Sequence, residues 1–167
     1  MPVVVRGNEI ELLEPFEGCK IAQLLTPDCI GNDQVLLDRV TLAPGAKFEV
    51  AFEQSMIGWL QVLSGRGTLS DTDITPDLIT YLSMGFSGMF IAGDTETVLL
   101  IARVPNAERF DSDIAKMPVG LRQVDWTREP VLQSEHDERE RIYLATPALA
   151  GTQAFKGEMI TYASGTE

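Results

Sequence analysis

Short segments of apolar or alternating apolar and polar residues, separated by glycine, proline, aspartate and asparagine, fill the first hundred positions of the chain. Such alternation is typical of strands with one buried face. Val98 to Val104 is almost continuously apolar, which favours a strand buried on both faces. The pattern predicts strands at 9–13, 20–25, 34–42, 47–52, 58–63, 77–82, 89–91 and 98–104. So many short strands at this spacing predict an all-β sandwich or barrel.

The segment after residue 105 has a different composition. Pro105, Pro118 and Pro130 interrupt it, and charged residues crowd into 135–140. We interpret it as a surface linker with one short helical turn, whose acidic residues form a solvated face. Strand patterns return at 141–145 and 157–163. The predicted organisation is a barrel at 1–110, a linker at 111–140 and further strands at 141–167.

The returning strands repeat an earlier part of the chain. When the sequence is shifted by 120 positions, 24–45 aligns with 144–165 without a gap and with seven identities in 22 positions. Roughly one or two identities would occur by chance in so short a window. The identical residues are Leu24, Thr26, Pro27, Gly31, Thr41, Ala43 and Gly45, matched by Leu144, Thr146, Pro147, Gly151, Thr161, Ala163 and Gly165. We therefore expect one complete unit followed by the opening strands of a second, incomplete repeat.

Composition and charge narrow the possible partners. Hydrophobic residues make up 44% of the 167 residues and charged residues 23%, an ordinary globular composition, but the formal net charge is −12. An acidic surface repels phosphate groups, so neither nucleic acid nor an anionic membrane is an expected partner. The sequence contains no bilayer-length apolar run, and its start does not resemble a signal peptide. Cys19 and Cys29 are interpreted as reduced thiols, and the expected location is the cytoplasm.

The residues from Gly45 to Gly65 have the spacing of a known motif. Gly45 is followed by five residues and then by Ala51 and Glu53; Gly58 follows after four more, and Gly65 after a further six. This spacing resembles the first cupin motif, G-x5-H-x-H-x3,4-E-x6-G. In that alignment Ala51 and Glu53 stand at the two histidine positions, and Gly58 stands at the glutamate position.

A fainter second motif follows. Gly85, Ile91 and Gly93 keep the glycine spacing of the second cupin motif, G-x5-P-x-G-x2-H-x3-N, but its histidine position falls on Glu96. The resemblance implies a cupin-type double-stranded β-helix, a jelly-roll barrel, that forms the degenerate N-terminal half of a bicupin. Residues 15–42 are also similar to the N-terminal half of the manganese-dependent ureidoglycine aminohydrolases.

The substituted motif positions bear on the chemistry. A mid-row divalent metal in such a barrel needs imidazole nitrogens and a carboxylate, whereas alanine and glycine offer no donor. His136, in the predicted linker, is the single histidine of the chain. We therefore expect no metal and no other cofactor, and no Ser–His or Cys–His nucleophile within one chain.

Three classes of function remain open at this point, and the sequence does not decide whether the protein is an enzyme. The loss of ligands favours a structural or dimerisation barrel. A metal-free barrel that binds a small molecule is the second possibility, with Val40, Leu60, Val62 and Met89 as the candidate lining. The third is a metal-dependent cupin enzyme for a small polar metabolite, with metal recruited through Glu53.

The terminal strands suggest a partner. A two-stranded piece is marginal in water, and its edges invite pairing. We expect 141–145 and 157–163 to be ordered by adding to an existing sheet, either in the chain's own barrel or by exchange in a homodimer. Val3 to Val5 offers a similar edge strand.

Overall fold

The structure is a computed structural model that describes residues 10–135 and 138–162. The sequence-based expectations for Val3 to Val5 and for His136 lie outside these residues. Strands dominate the described chain, and regular helix is confined to single turns. The strands are β1 (Leu12–Phe16), β2 (Cys19–Leu25), β3 (Leu36–Leu42), β4 (Lys47–Ala51), β5 (Ile57–Ser64), β6 (Gly67–Leu69), β7 (Thr72–Ile74), β8 (Leu78–Leu82), β9 (Ser87–Ala92), β10 (Thr97–Val104), β11 (Leu121–Asp125), β12 (Leu132–Gln133), β13 (Glu140–Ala145) and β14 (Gly157–Thr161). The helices are α1 (Pro27–Ile30) and α2 (Pro147–Ala150), with 3₁₀ turns at Ala107–Arg109, Ile114–Lys116 and Trp126–Arg128.

Two antiparallel sheets form the barrel. The larger has seven strands in the order β1-β2-β3-β10-β5-β8-β11, and the smaller has four in the order β4-β9-β6-β7. Side chains from both sheets meet in one buried apolar cluster, with Leu60 and Leu99 from the larger sheet and Val50, Leu69 and Phe90 from the smaller. This arrangement confirms the all-β barrel that the spacing of the strands predicts.

β10 holds the centre of the larger sheet. Leu99 pairs with Val40 of β3 on one side and with Val62 of β5 on the other. Leu99 and Ile101 point into the barrel, while Ala102 is buried as well although it lies on the opposite face of the strand. Both faces of such a strand are covered, so nearly all of its side chains must be apolar, which explains the sequence from Val98 to Val104.

The predicted linker at 111–140 contains more regular structure than the sequence indicated. β11 lies inside it and pairs along its whole length with β8, so it forms the edge of the larger sheet. Leu121 packs against the barrel core, and the indole Nε1 of Trp126 donates to the carbonyl of Pro76 at 2.8 Å. The prediction of a surface linker with one short helical turn therefore missed β11, which pairing with β8 and the contacts of Leu121 and Trp126 attach to the barrel.

The second unit reproduces the first in its pairing as well as in its sequence. β13 pairs with β14 at Ile142↔Met159 and Tyr143↔Glu158, and β2 pairs with β3 at the positions 120 residues earlier, Ala22↔Arg39 and Gln23↔Asp38. The register shifts at the same place in both hairpins, before Ala145 and before Leu25. A shared bulge in addition to a shared register supports duplication, because an irregularity of this kind is a specific feature of a strand pair.

The turns between these strands are also the same. Thr26 and Thr146 cap α1 and α2, each accepting a hydrogen bond at its hydroxyl oxygen from a backbone N–H three residues later. Gly31 and Gly151 end the two helices at φ of 71° and 79°. Glycine adopts this left-handed conformation with little strain, and the sequence identities at Thr, Pro and Gly thus preserve a capped helical turn.

The second unit does not extend the barrel sheet. β12, β13 and β14 form a separate three-stranded sheet, so the described C-terminal strands do not extend the chain's own barrel sheet. Their exchange with a partner chain stays a prediction. The unit is attached through side chains instead. Ala145, Ala150 and Phe155 pack with Tyr81 and Ile79 on the outer face of the larger sheet.

Tyr81 joins the two units directly. Its side chain is 4% exposed, its ring lies 6.3 Å from that of Phe155, and its hydroxyl donates to the carbonyl of Leu144. Burial raises the pKa of Tyr81 to about 12, with the negative charge of Glu129 adding to the effect and Arg122 opposing it. The neutral phenol is therefore the form that the folded protein holds.

We expect Tyr81→Phe to lower the free energy of unfolding by about 1 kcal/mol, since a buried carbonyl loses its donor. Above pH 10 the unfolded phenol ionises while the folded one keeps its proton, so the contribution of Tyr81 is lost as the pH rises from 10 to about 12. Urea unfolding between pH 8 and 11 measures both effects. Tyr162→Phe, at a site that is 57% exposed, is the control, and an equal loss there would contradict the assignment.

Candidate functional site

The alternation of β4 determines which residues face the barrel interior. Val50 and Phe52 are 2% and 6% exposed and belong to the core cluster, whereas Ala51 and Glu53 are exposed. Successive residues of a strand point to opposite faces. The inward positions are thus displaced by one residue from those in the cupin motif alignment, and both hold apolar side chains.

Gly58 lies on β5 beneath the ring of Phe52. A β-carbon on Gly58 would be 1.9 Å from the carbonyl oxygen of Ala102 and 2.9 Å from Cε2 of Phe52. Distances this short leave no room for a side chain at Gly58. The space at the motif position that carries a glutamate ligand in cupins is here occupied by the aromatic ring of Phe52, which follows β4 of the smaller sheet.

An ion pair lies beside this contact. Arg103 pairs with Gly58 in the register of β10 and β5, and its Nη1 donates to Oδ2 of Asp38 at 2.5 Å. Asp38 is 5% exposed and continues the inward row of Val40 on β3. Breaking such a buried pair is costly because it leaves one charge without compensation. A fixed guanidinium group next to Gly58 also opposes the binding of a cation there.

The second motif ends in a tight turn. Glu96 is exposed and immediately precedes β10, so its side chain lies outside the barrel. The turn is closed by backbone contacts: Gly93 donates to the carbonyl of Arg66 at 2.8 Å, and the Thr97 hydroxyl donates to the same carbonyl at 3.0 Å. This short connection leaves no place for an inward-pointing ligand at Glu96.

The four residues proposed as barrel lining have different positions. Val40, Leu60 and Val62 lie in the core cluster with at most 1% exposure, packed against other side chains. Met89 is 44% exposed, and its prediction as lining is wrong. On β9 the alternation buries Phe90 instead, so Met89 points to solvent.

The side chains at these inward positions decide whether the barrel could bind a metal ion as cupins do. The inward positions Val50, Phe52 and Gly58 have no side-chain donor, and the inward carboxylate of Asp38 is engaged by the guanidinium group of Arg103. Across residues 10–135 and 138–162, no three His, Cys, Asp or Glu side chains gather in a way that could hold a metal ion. The residues present do not fit a cupin metal centre in the first barrel.

A cavity of about 340 Å³ lies outside the barrel core, between the two units. We call it the outer pocket. Its walls come from the first residues of β5, the end of β8, the segment 114–122 and the segment 150–155. The lining residues are Ile57, Gly58, Tyr81, Leu82, Ser83, Ile114, Met117, Pro118, Val119, Gly120, Leu121, Arg122, Ala150, Thr152 and Phe155. Sequence reasoning missed this pocket, since half of its walls belong to the segment interpreted as a linker.

Hydrogen bonds fix the walls of the outer pocket. The Ser83 hydroxyl donates to the carbonyl of Gly120 at 3.0 Å and accepts from the Gly120 N–H at 2.7 Å. Oδ2 of Asp111 accepts from the Thr152 hydroxyl at 2.7 Å and from the backbone N–H of Gln153 at 2.9 Å. These hydrogen bonds lower the pKa of the Asp111 carboxyl, and the one from Thr152 has the largest effect. The pocket is therefore a built feature that joins the linker segment to both units.

Comparisons with known proteins agree with this architecture. A glyoxylate-induced protein from Pseudomonas aeruginosa matches 86% of this chain and 55% of its own, with a TM-score of 0.62 and 12% identity. A Bacillus subtilis oxalate decarboxylase variant matches 86% and 53%, with a TM-score of 0.62 and 12% identity. The protein Ylba from E. coli matches 87% and 68%, with a TM-score of 0.52 and 15% identity.

The chain is thus a jelly-roll barrel with an appended three-stranded sheet, and it shares the cupin-type fold of these solved structures. It spans about half the length of the oxalate decarboxylase and glyoxylate-induced chains. No protein-family model and no curated protein matches its sequence. Among the described residues, no helix is long and apolar enough to span a membrane.

Adding a methyl group tests the contact between Phe52 and Gly58. We expect Gly58→Ala to lower the free energy of unfolding by about 1–3 kcal/mol, since the new β-carbon overlaps the Ala102 carbonyl. Gly120→Ala is the matched control because a β-carbon there meets no heavy atom within 4 Å. Denaturant unfolding of both variants measures the difference. Equal stability of the two variants would contradict the packing described here.

Proposed function

We propose that this protein is a structural barrel of bicupin type, without a metal centre of its own, that assembles as a homodimer through its second unit. The lack of side-chain donors at Val50, Phe52 and Gly58, and the pairing of the inward Asp38 with Arg103, support the part of this proposal that concerns the metal. The assembly part is carried by one observation, which is the exposure of apolar residues whose counterparts in the first unit are fully buried.

That observation concerns Ile160 and Tyr162. They occupy the repeat positions of Val40 and Leu42, which are 0% exposed inside the barrel, yet they are 39% and 57% exposed. Arg141 of the central strand pairs with Ile160 on one side and with Leu132 on the other, and Leu132 is 37% exposed. Cross-strand neighbours share a face, so Leu132 and Ile160 flank Arg141 on the face of the three-stranded sheet that corresponds to the barrel interior of the first unit. This face therefore presents exposed apolar side chains around the ion pair of Arg141 and Glu158.

The pairing of β14 supports the same conclusion. In the first unit β3 lies between β2 and β10, so both of its edges are paired. Within the described residues its counterpart β14 pairs only with β13. An open edge next to an apolar face is a site at which another strand or sheet adds.

The charges on this face suit a second copy of the chain. Glu158 replaces Asp38 of the first unit, and Arg141 of the neighbouring strand supplies its partner, with Nη1 and Oε2 3.7 Å apart. The two charges thus compensate each other within one chain, and the apolar surface beside them carries no net charge from this pair. Two such faces related by a two-fold axis bring apolar residues together without like-charge repulsion, and a two-fold interface uses the same patch on both subunits.

The alternatives are less well supported. A metal-dependent enzyme requires inward donors, and Glu53 is exposed on the outside of the barrel. A ligand inside the barrel requires space that Val40, Leu60 and Val62 fill. We also propose a cytoplasmic location, which the absence of a disulfide between Cys19 and Cys29 supports, because reduced cysteines are typical of that compartment.

A charge on the exposed apolar face tests the dimer. We expect the wild-type protein to sediment as a dimer at micromolar concentration, and Ile160→Lys to weaken the dimer at least about tenfold because a lysine must be desolvated at the interface. Ile91→Lys is the matched control, since Ile91 is 40% exposed but lies on β9, between β4 and β6. Circular dichroism checks that both variants remain folded.

Sedimentation velocity separates the possible outcomes. A wild-type protein that stays monomeric at micromolar concentration contradicts the dimer. Equal dissociation of the two lysine variants contradicts the proposed position of the interface, because the interface would then not depend on the second unit.

A further inference from the structure

The outer pocket has the composition of a binding site for a small molecule. Ile57, Leu82, Ile114 and Phe155 contribute apolar walls, and Met117 adds a flexible side chain at the rim. A cavity of about 340 Å³ lies within the size range of sites that hold small ligands, and such sites favour the junction of two structural units. The pocket borders the barrel core at Gly58 and Leu82, and its lining includes no residue of β12, β13 or β14.

The charge of the pocket is distinctive. Arg122 is the one charged residue in its lining, and the lining contains no aspartate or glutamate. This is unusual for a chain with 25 acidic residues and a net charge of −12. The nearby carboxylate of Asp111 is already engaged by Thr152 and the backbone of Gln153. A single cation beside apolar walls is complementary to a ligand with one anionic group and an apolar body.

Arg122 is held at the rim of this pocket. It lies on the edge strand β11, and its Nη2 donates to the carbonyl of Ala148 at 3.1 Å. Its Nη1 lies 3.5 Å from the place where a β-carbon on Gly151 would be. A guanidinium group has several N–H donors in a fixed plane, so it can bind a carboxylate while one donor stays with Ala148.

We propose that the outer pocket binds a small monocarboxylate with an apolar body, such as a medium-chain alkanoate, with its carboxylate at Arg122 and its chain against Ile57, Leu82 and Phe155. This inference is independent of the proposed dimer and of the absence of a metal centre. It concerns binding alone and assigns no reaction to the site.

Methionine methyl groups give a direct readout. In protein labelled at the methionine methyls, titration with sodium octanoate shifts the Met117 signal saturably and leaves that of Met89, exposed on the smaller sheet, unchanged. 1-Octanol has the same chain without the charge, and we expect it to bind at least about tenfold more weakly because it forms no charge-assisted hydrogen bond with Arg122.

Variants of Arg122 complete the test. We expect Arg122→Gln to weaken octanoate binding at least about tenfold and Arg122→Lys to weaken it less, since lysine keeps the charge but not the fixed plane of donors. Arg128→Gln is the matched control, because Arg128 is an exposed arginine outside the pocket lining. A Met117 signal that does not move at millimolar octanoate overturns the proposal. Equal affinity for octanoate and octanol, or equal losses in Arg122→Gln and Arg128→Gln, overturns it as well.

Discussion

Phe52 packs directly over Gly58, and this contact determines what the barrel can contain. The ring occupies the space that a side chain on β5 would need, and the backbone of β10 closes it from the other side. Apolar side chains then complete the inward rows of both sheets, and Arg103 with Asp38 adds a paired charge beside the contact. The interior is therefore a packed core in which the usual ligand positions of a cupin have no donors. The two binding surfaces that we propose, the face of the three-stranded sheet and the outer pocket, therefore both lie outside this core.

The outer face of the larger sheet supports the rest of the molecule. β8 is buried on both faces, with Leu82 in the barrel core and Tyr81 against the second unit. Docking of the second unit covers Tyr81, creates the outer pocket beside Ser83, and turns the face with Ile160 towards solvent. A change that loosened this docking would alter the pocket and the proposed interface together. The two proposals can still be separated, because Arg122 and Ile160 belong to different surfaces.

The periodicity of the sequence was sufficient for the fold class and for most strands. It also revealed the repeat, because Thr146, Pro147 and Gly151 are the residues that a capped turn requires. It missed β11, whose short mixed sequence is ordered by pairing with β8 rather than by its own pattern. Motif spacing put Ala51 and Glu53 at the histidine positions of the cupin motif, whereas the inward residues of the structure, Val50 and Phe52, differ from them by one position. In a strand a shift of one residue exchanges the two faces, and glycine spacing alone does not fix it.

The outer pocket could not be predicted for a related reason. Its walls come from segments far apart in the chain, and the residue that gives it a charge, Arg122, lies in an unremarkable sequence. Met89 was misplaced because an apolar residue on a strand was taken to face inward, whereas β9 has an exposed face that carries both Met89 and Ile91. Both errors concern which face a residue occupies, which depends on tertiary packing.

The metal content of the purified protein tests the central claim most directly. The protein is expressed in medium supplemented with manganese, iron, zinc and nickel, purified without chelators or a histidine tag, and analysed by inductively coupled plasma mass spectrometry. A barrel closed by Phe52 over Gly58 predicts far less than one equivalent of any transition metal per chain. One equivalent of a single metal, retained on gel filtration and lost from the wild type on chelation, would contradict the account.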